Sequence, residues 1–432
     1  MLKINEAISL IEQGKFDTAF GHLYTNHSNI IEKQRRRYME AINQFAAFFG
    51  TEREITFFST PGRTEIGGNH TDHNHGIVMA AAVSLDIIGV VSLNSDTTVR
   101  VKSEGFDNMD VVDISDLSIH ENEKGRSSAL VRGVAAGIVQ RGGKIGGFDA
   151  YTTSDVLRGS GLSSSAAFEV EIGAVFNGLY NNNKFSPVEI AQISQYAENV
   201  YFGKPSGLMD QTACSCGSAI TIDFKNPENP IVENVSFDLE QYGFNLCITD
   251  TKGSHADLTE EYGAIRFEME EVAAFFGKKV LREVDETAFF ANIAQVRTQT
   301  GDRAVLRAIH FFADCNRAVE LCNAVRENRF EDFLKLIIEG GHSSFEYNQN
   351  AYAVKKPTEQ GVALGVAVSQ KVLNGKGAWR LQGGGFAGTI QAFVPNSALE
   401  EYIAAVESVF GANSCYVLSV RNYGAVEVTQ SL

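Results

Sequence analysis

Apolar positions recur along this chain at two spacings, and the change from one to the other marks out its elements. Near the start Ile4, Ala7, Ile8 and Ile11 form one helical stripe; Tyr38, Ala41, Ile42, Phe45 and Phe49 form another that ends at Gly50. From Ile55 the period shortens. Residues 55–60, 87–93 and 97–103 are β-branched or apolar runs bounded by turn residues and predict strands. Residues 130–140 return to helical spacing and 148–153 read as a strand. Ile172, Val175, Phe176, Leu179 and Tyr180 predict the next helix, 187–200 another, and 219–224 a strand. Further on, strands at 244–251, 389–394 and 415–420 are interspersed with helices from Leu258 and over 306–325, 330–338 and 399–410. Two prolines among polar residues at 225–230 interrupt both periods and place a domain boundary there. The expected division is a helical extension over 1–50, a domain over 51–225 and a second over 226–432. The chain is α+β, with mixed sheets and flanking helices.

At 432 residues the chain is too long for one hydrophobic core, and 44% hydrophobic with 21% charged residues describes a globular protein. Its net charge of -16 disfavours nucleic acid and anionic membranes as partners. No apolar run is long enough for a bilayer or a leader, so a cytoplasmic protein is expected. The six cysteines show no paired metal-finger spacing and read as reduced, buried residues.

Candidate chemistry gathers in four places. A glycine-serine loop follows the strand at 148–153 and runs into the helix after it. Gly159, Ser160 and Gly161 can turn successive N–H groups toward one point, and Ser163, Ser164 and Ser165 add hydroxyls where a helix start favours an anion. It is neither the lysine-bearing P-loop nor the dinucleotide fingerprint. The stretch 59–76 reads as a loop between strands, bringing together Arg63, Asn69, His70 and Asp72. Short polar side chains there suit a polyol, or serve only to cap the loop itself. His70, His73 and His75 lack the helical spacing of a zinc site. The stretch 197–211 offers Glu198 on a helix and Asp210 after a tight turn, as catalytic carboxylates or as ordinary ion-pair and capping groups. The fourth, 380–388, carries three successive glycines, either a hairpin or a close approach to a ligand.

Taken in this order, the segments resemble the signature motifs of the GHMP small-molecule kinases, and among them the galactokinases. Pro-Gly-Arg at 61–63 followed by His-Thr-Asp at 70–72 is similar to the opening signature. Gly-Leu-Ser-Ser-Ser-Ala at 161–166 resembles the ATP-phosphate loop, and Pro-Ser-Gly-Leu-Met-Asp-Gln at 205–211 resembles the segment carrying the catalytic aspartate. Gly-Gly-Gly-Phe at 383–386 resembles the closing glycine motif, and Leu-Thr-Glu-Glu-Tyr at 258–262 the sugar-contacting tyrosine segment. The resemblance spans about 55–420 and implies a two-domain fold with the active site between the domains.

The implied reaction is ATP- and Mg²⁺-dependent phosphorylation of a sugar's anomeric hydroxyl, D-galactose first. The resemblance makes Asp210 and Arg63 catalytic, and gives Gly159, Ser160, Gly161, Leu162, Ser163, Ser164 and Ser165 to the ATP phosphates. It gives Ser165 and Glu198 to Mg²⁺, and Asn69, His70, Asp72, Tyr262 and Asp210 to the sugar. Sugar and ATP are then the only partners implied, with no nucleic acid or membrane and a monomer favoured. The alternatives are a kinase for a C6-altered sugar such as galacturonate or L-arabinose, a mevalonate or homoserine kinase, and a non-catalytic sugar sensor. The family usually has Glu where Asn69 stands and Asn-Leu-Ile where Glu65, Ile66 and Gly67 stand. Loss of a charged acceptor toward the C6 hydroxyl would weaken that contact by about 1–3 kcal/mol. On that reading Asn69→Glu should improve galactose binding.

Overall fold

The computed structural model describes residues 1–25, 27–156, 162–254 and 258–431. Thirteen strands lie among these residues: β1 (Leu2–Lys3), β2 (Glu54–Gly67), β3 (Ile77–Leu93), β4 (Thr98–Ser103), β5 (Asp110–Asp113), β6 (Phe148–Ser154), β7 (Ala219–Asp223), β8 (Ile231–Val235), β9 (Phe244–Asp250), β10 (Ala378–Leu381), β11 (Thr389–Pro395), β12 (Cys415–Leu418) and β13 (Val426–Glu427). The helices are α1 (Ile4–Glu12), α2 (Asp17–Leu23), α3 (Ser28–Phe49), α4 (Ser127–Gln140), α5 (Ser164–Asn181), α6 (Pro187–Tyr196), α7 (Met209–Cys216), α8 (Thr259–Phe275), α9 (Glu286–Ala291), α10 (Ile293–Thr300), α11 (Asp302–Arg326), α12 (Phe330–Ser343), α13 (Gly361–Leu373) and α14 (Leu399–Phe410).

The larger sheet runs β1-β2-β3-β6-β4-β5, with β13 beside β2 and β7 and β8 continuing from β3. Only β4 and β6 pair in parallel. The smaller sheet, β10-β11-β9-β12, is antiparallel throughout. The larger sheet takes strands from both sides of the proline-bearing stretch at 225–230, since β8 pairs β7 and β13 returns to β2.

Burial on both faces explains how β2 and β3 read in the sequence. Phe57, Ile88, Val90 and Tyr151 pack under Phe16, Phe20, Tyr38, Ile42 and Phe45 of the N-terminal helices. Phe58, Ile87 and Val91 face the opposite way, into a core with Ala167, Val170, Phe176 and Ile190 of α5 and α6. A strand covered on both sides shows a continuous apolar run instead of alternation. The stretch 59–76, expected as a loop, is therefore strand as far as Gly67. β2 runs on through Pro61, Gly62 and Arg63, paired with β3 and bulged between Pro61 and Arg63 and between Glu65 and Gly67. A bulge re-aims the side chains beside it without ending the ladder.

The N-terminal layer is pinned by a buried carboxylate. Asp86 accepts from Tyr24 Oη at 2.6 Å, from Ser59, from Arg37 Nη1 at 2.5 Å and from Arg421 Nη1 at 3.2 Å. Burial would raise the Asp86 carboxyl, but the two guanidiniums outweigh it and hold it below its ordinary value. Helix α3 is thereby tied both to the sheet and to the chain end. No helix among the described residues is long and apolar enough to cross a membrane, and all six cysteines are free thiols.

Candidate active site

Arg63 and Asp210 come together from opposite sides of the core. Arg63 projects from the bulged stretch of β2, and Asp210 stands in the first turn of α7, an element the apolar periodicity did not reveal. The guanidinium donates through Nε and Nη2 to Asp210 Oδ1, both at 2.7 Å. Asp210 Oδ2 accepts from the hydroxyl of Ser163, the residue that starts α5. Burial alone would raise the aspartate; Arg63 and the Ser163 hydroxyl reverse the sign and keep it ionised below its ordinary range. Ser163 holds φ at 57°, a left-handed conformation uncommon for a residue with a Cβ. Its side chain makes no helix cap and turns to Asp210 instead. The N–H of Arg63 donates to Leu162 O at 3.1 Å, so strand and serine loop share an edge. Gly159, Ser160 and Gly161, expected to cradle phosphate, lie outside the described residues.

The second carboxylate follows from a helical turn of wider radius. After α6, residues Ala197–Phe202 form one π-helical turn, a local widening common at functional positions. Glu198 is carried inward there and is almost fully buried. Its Oε2 accepts from Ser206 Oγ at 2.6 Å and Gln211 Nε2 at 2.9 Å, and its Oε1 from Lys204 Nζ at 2.8 Å. Gln211 also donates to Glu169 Oε2 at 3.1 Å. Glu169 lies one helical turn beyond Ser165 on α5, on the same face. Burial, and then the Glu198 charge, push the Glu169 carboxyl well above its ordinary value, and its Oε1 has no hydrogen-bond partner among the described residues.

The sugar-loop residues divide. Asp72 sits in a short 3₁₀ turn, Asp72–Asn74, against Gly207. A Cβ at 207 would stand 1.9 Å from Asp72 Oδ2, so only glycine permits this approach. His70 Nε2 lies 2.9 Å from Gly384 O. Burial lowers its imidazole to about 4, so the ring is neutral and Nε2 must carry the proton it donates to that carbonyl. Tyr262 donates its hydroxyl to Gly385 O at 2.9 Å and stands edge-on to Phe386 at 5.2 Å. The second sheet's glycine turn thus meets both His70 and Tyr262.

Asn69 does not face the opening as expected. It is fully buried, and each of its polar atoms is engaged inside the protein. Its side-chain N–H groups go to Glu65 Oε1 at 2.9 Å and Gly383 O at 2.7 Å, and its Oδ1 accepts from Ser344, Asn348 and Asn350. Its main chain is equally held: N–H to Asp314 Oδ2 at 2.6 Å, and O from His310 Nε2 at 2.8 Å. A hydrogen-bond-saturated side chain has nothing left for a sugar. Glu65 also accepts from Arg380 Nη2 at 2.8 Å, yet burial still lifts its carboxyl to about 7. Apolar periodicity gives no sign of Asn350, His310 or Asp314, because the bonds they make to Asn69 join stretches far apart in the chain.

Comparison with known proteins fits this geometry. The family model described as the GHMP kinases N terminal domain matches residues 129–218, and the galactokinase galactose-binding signature matches 43–93. The galactokinase of Streptomyces coelicolor is 30% identical over 371 residues, which cover 85% of this chain and 92% of that protein. That of Glaesserella parasuis is 32% identical over 361 residues, covering 83% and 89%. The crystal structure of Lactococcus lactis galactokinase complexed with galactose superposes with a TM-score of 0.76 at 25% identity, covering 89% of this chain and 98% of that one. A mevalonate kinase structure shares the fold at 13% identity and a TM-score of 0.57. With Arg63, Asp210 and Ser163 held together in a GHMP kinase fold, and relatives matching along most of its length, this chain belongs to the galactokinase family.

Proposed function

We propose that the protein transfers the γ-phosphoryl group of ATP to the anomeric hydroxyl of D-galactose. The observation that carries this reading is Asp210, one third exposed, held by Arg63 on one oxygen and Ser163 on the other. Phosphoryl transfer asks a protein for alignment and charge stabilisation more than for covalent chemistry. Asp210 orients the C1 hydroxyl and takes its proton as the oxygen attacks. Arg63 keeps Asp210 ionised and offers positive charge to the transferring group. Asp72 and Tyr262 present polar groups to the ring hydroxyls, and His70, with Asn69, ties the loop of Asp72 to the glycine turn.

The metal reading stands on the donor set. Ser165 and Glu198 offer hard oxygen ligands, and Glu169 Oε1 beside them has no hydrogen-bond partner among the described residues. No cluster of three or more His, Cys, Asp or Glu capable of holding a metal is found among the described residues. That suits Mg²⁺, which is commonly held by one or two protein oxygens together with substrate phosphates. When bound, the ion neutralises charge on the ATP phosphate oxygens.

An ADP-release assay across free monosaccharides tests the proposal. Galactose-dependent ADP release that vanishes without Mg²⁺ is expected; no sugar-dependent release from folded protein would overturn it.

A further inference from the structure

Lys204 is placed where the resemblance predicts nothing. Gly203, at φ 87°, closes the π turn, and the N–H groups of Gly203 and Lys204 both donate to Glu198 O, at 3.0 and 3.1 Å. The chain is thereby folded back so that the Lys204 ammonium reaches Glu198 Oε1 at 2.8 Å. The two ends of this pair differ sharply. The Glu198 side chain is 3% exposed and Lys204 is 59% exposed, a buried acceptor paired with an exposed cation on a flexible stem. Arg63 is committed to Asp210, and Lys204 makes the one salt bridge to Glu198 among the described residues. The ammonium also lies close enough to Asp210 and Glu169 to act on both electrostatically. It therefore stands among the acidic groups of the cleft, at the oxygen that a divalent ion would need.

We infer that Lys204 is an exchangeable cation of the active site: it neutralises Glu198 in the empty enzyme and moves to the phosphate oxygens of ATP on loading. The inference rests on the reading that Glu198 holds the nucleotide's metal. Two cations crowded on one carboxylate oxygen repel, so the lysine must give up Glu198 as that oxygen becomes a metal ligand. Its long stem then leaves the charge within reach of the incoming phosphates. An ordinary surface ion pair would have neither consequence.

Two affinities separate these cases, neither of them an activity. Mn²⁺ alone, titrated into nucleotide-free protein and followed by paramagnetic resonance, should bind Lys204→Met about tenfold more tightly than wild type, because the competitor is gone. ATP in excess EDTA, titrated calorimetrically, should bind Lys204→Met about tenfold more weakly, because the phosphates lose a cation and meet a bare Glu198. Lys204→Arg should stay near wild type in both. Unchanged affinity of Lys204→Met for Mn²⁺, or for metal-free ATP, overturns the exchange. Glu198→Gln is the control: if it leaves Mn²⁺ affinity unaltered, the metal reading itself fails and the exchange falls with it. If Glu198→Gln loses Mn²⁺ while Lys204→Met matches wild type, only the exchange falls.

Discussion

Asn69 donates its side-chain amide to the carboxylate of Glu65 across 2.9 Å, in the wall between the sugar loop and the second sheet. Carboxylate and amide thus stand at 65 and 69, the reverse of the Asn and Glu that the family usually has at the two positions. The contact changes what substitution at 69 should do. A glutamate there would face Glu65 with no side-chain N–H to offer and would strip Gly383 O of its donor. Asn69→Glu is expected to lose about 3–5 kcal/mol of stability and to raise the KM for galactose instead of lowering it. Combining Glu65→Asn with Asn69→Glu restores one carboxylate and one amide and should recover most of that loss. Urea denaturation of the single and double variants checks this; additive losses would show that the two residues do not act as a pair.

Asp210→Asn keeps the shape of the Arg63 contact and removes the charge and the proton acceptor. The expected fall in kcat is about 10³-fold or more. Affinity for ATP should change little, because the proposed phosphate contacts lie on a different segment. Single-turnover kinetics beside equilibrium nucleotide binding would expose a different role for Asp210 if turnover persisted.

Gly207→Ala forces a methyl group onto Asp72 Oδ2. The Asp72 carboxylate must move away from the position it holds, and its proposed contact with the sugar goes with it. A combined loss in kcat/KM for the sugar of about 10²-fold is expected. The KM for ATP is the contrasting readout and should move much less.

Glu65 links stability to pH. Its ordinary value is 4.5 and burial raises it to about 7 in the folded protein. The folded state therefore binds the proton more tightly than the unfolded chain. Its stabilising contribution is complete below pH ~4.5 and is lost as pH rises through ~7, about 3 kcal/mol in all. Glu171, raised to about 8 by burial, acts in the same direction. Glu65→Gln should flatten the fall in stability between pH ~5 and ~8. Denaturation midpoints across that range give the slope directly, and an unaltered slope would assign the effect elsewhere.

Arg37→Met tests the N-terminal layer. The substitution leaves buried Asp86 with Arg421 as its only salt-bridge partner among the described residues. Removing one partner of a buried pair costs about 3–5 kcal/mol, so the folded enzyme should melt earlier. Arg37 also reaches Thr153 O and Asp155, just ahead of the serine loop. Nucleotide affinity measured well below the melting point should stay near wild type if the contact is only a brace.

Much of this protein could be read from its residues in order. The helical stripes in 1–50, the helix after the serine loop and the later helices are local periodicities, and local spacing survives without knowledge of the fold. The ordered motifs named the family because glycine, serine and aspartate at set intervals are properties of sequence alone. What the order of residues could not supply was their neighbours. Residues 55–60 and 87–93 read as strands, but the second half of β2 and the first half of β3 do not: proline, glycine and charged residues break the run at 61–67, and the small apolar residues of 77–86 show no alternation. Helix α7 was hidden because it is too short to show a period. Asn69 was read as a ligand for a sugar, since nothing in the chain near it reveals that Glu65, Gly383, Asn350 and Asp314 consume its hydrogen bonds. Lys204 lies only six residues from Glu198, yet nothing in their spacing shows that the π turn folds the two side chains together. Composition and spacing settled the kind of chemistry, whereas burial and long-range pairing decided which polar group is free to meet a ligand, because a hydrogen bond already made inside the protein cannot also be made to a substrate.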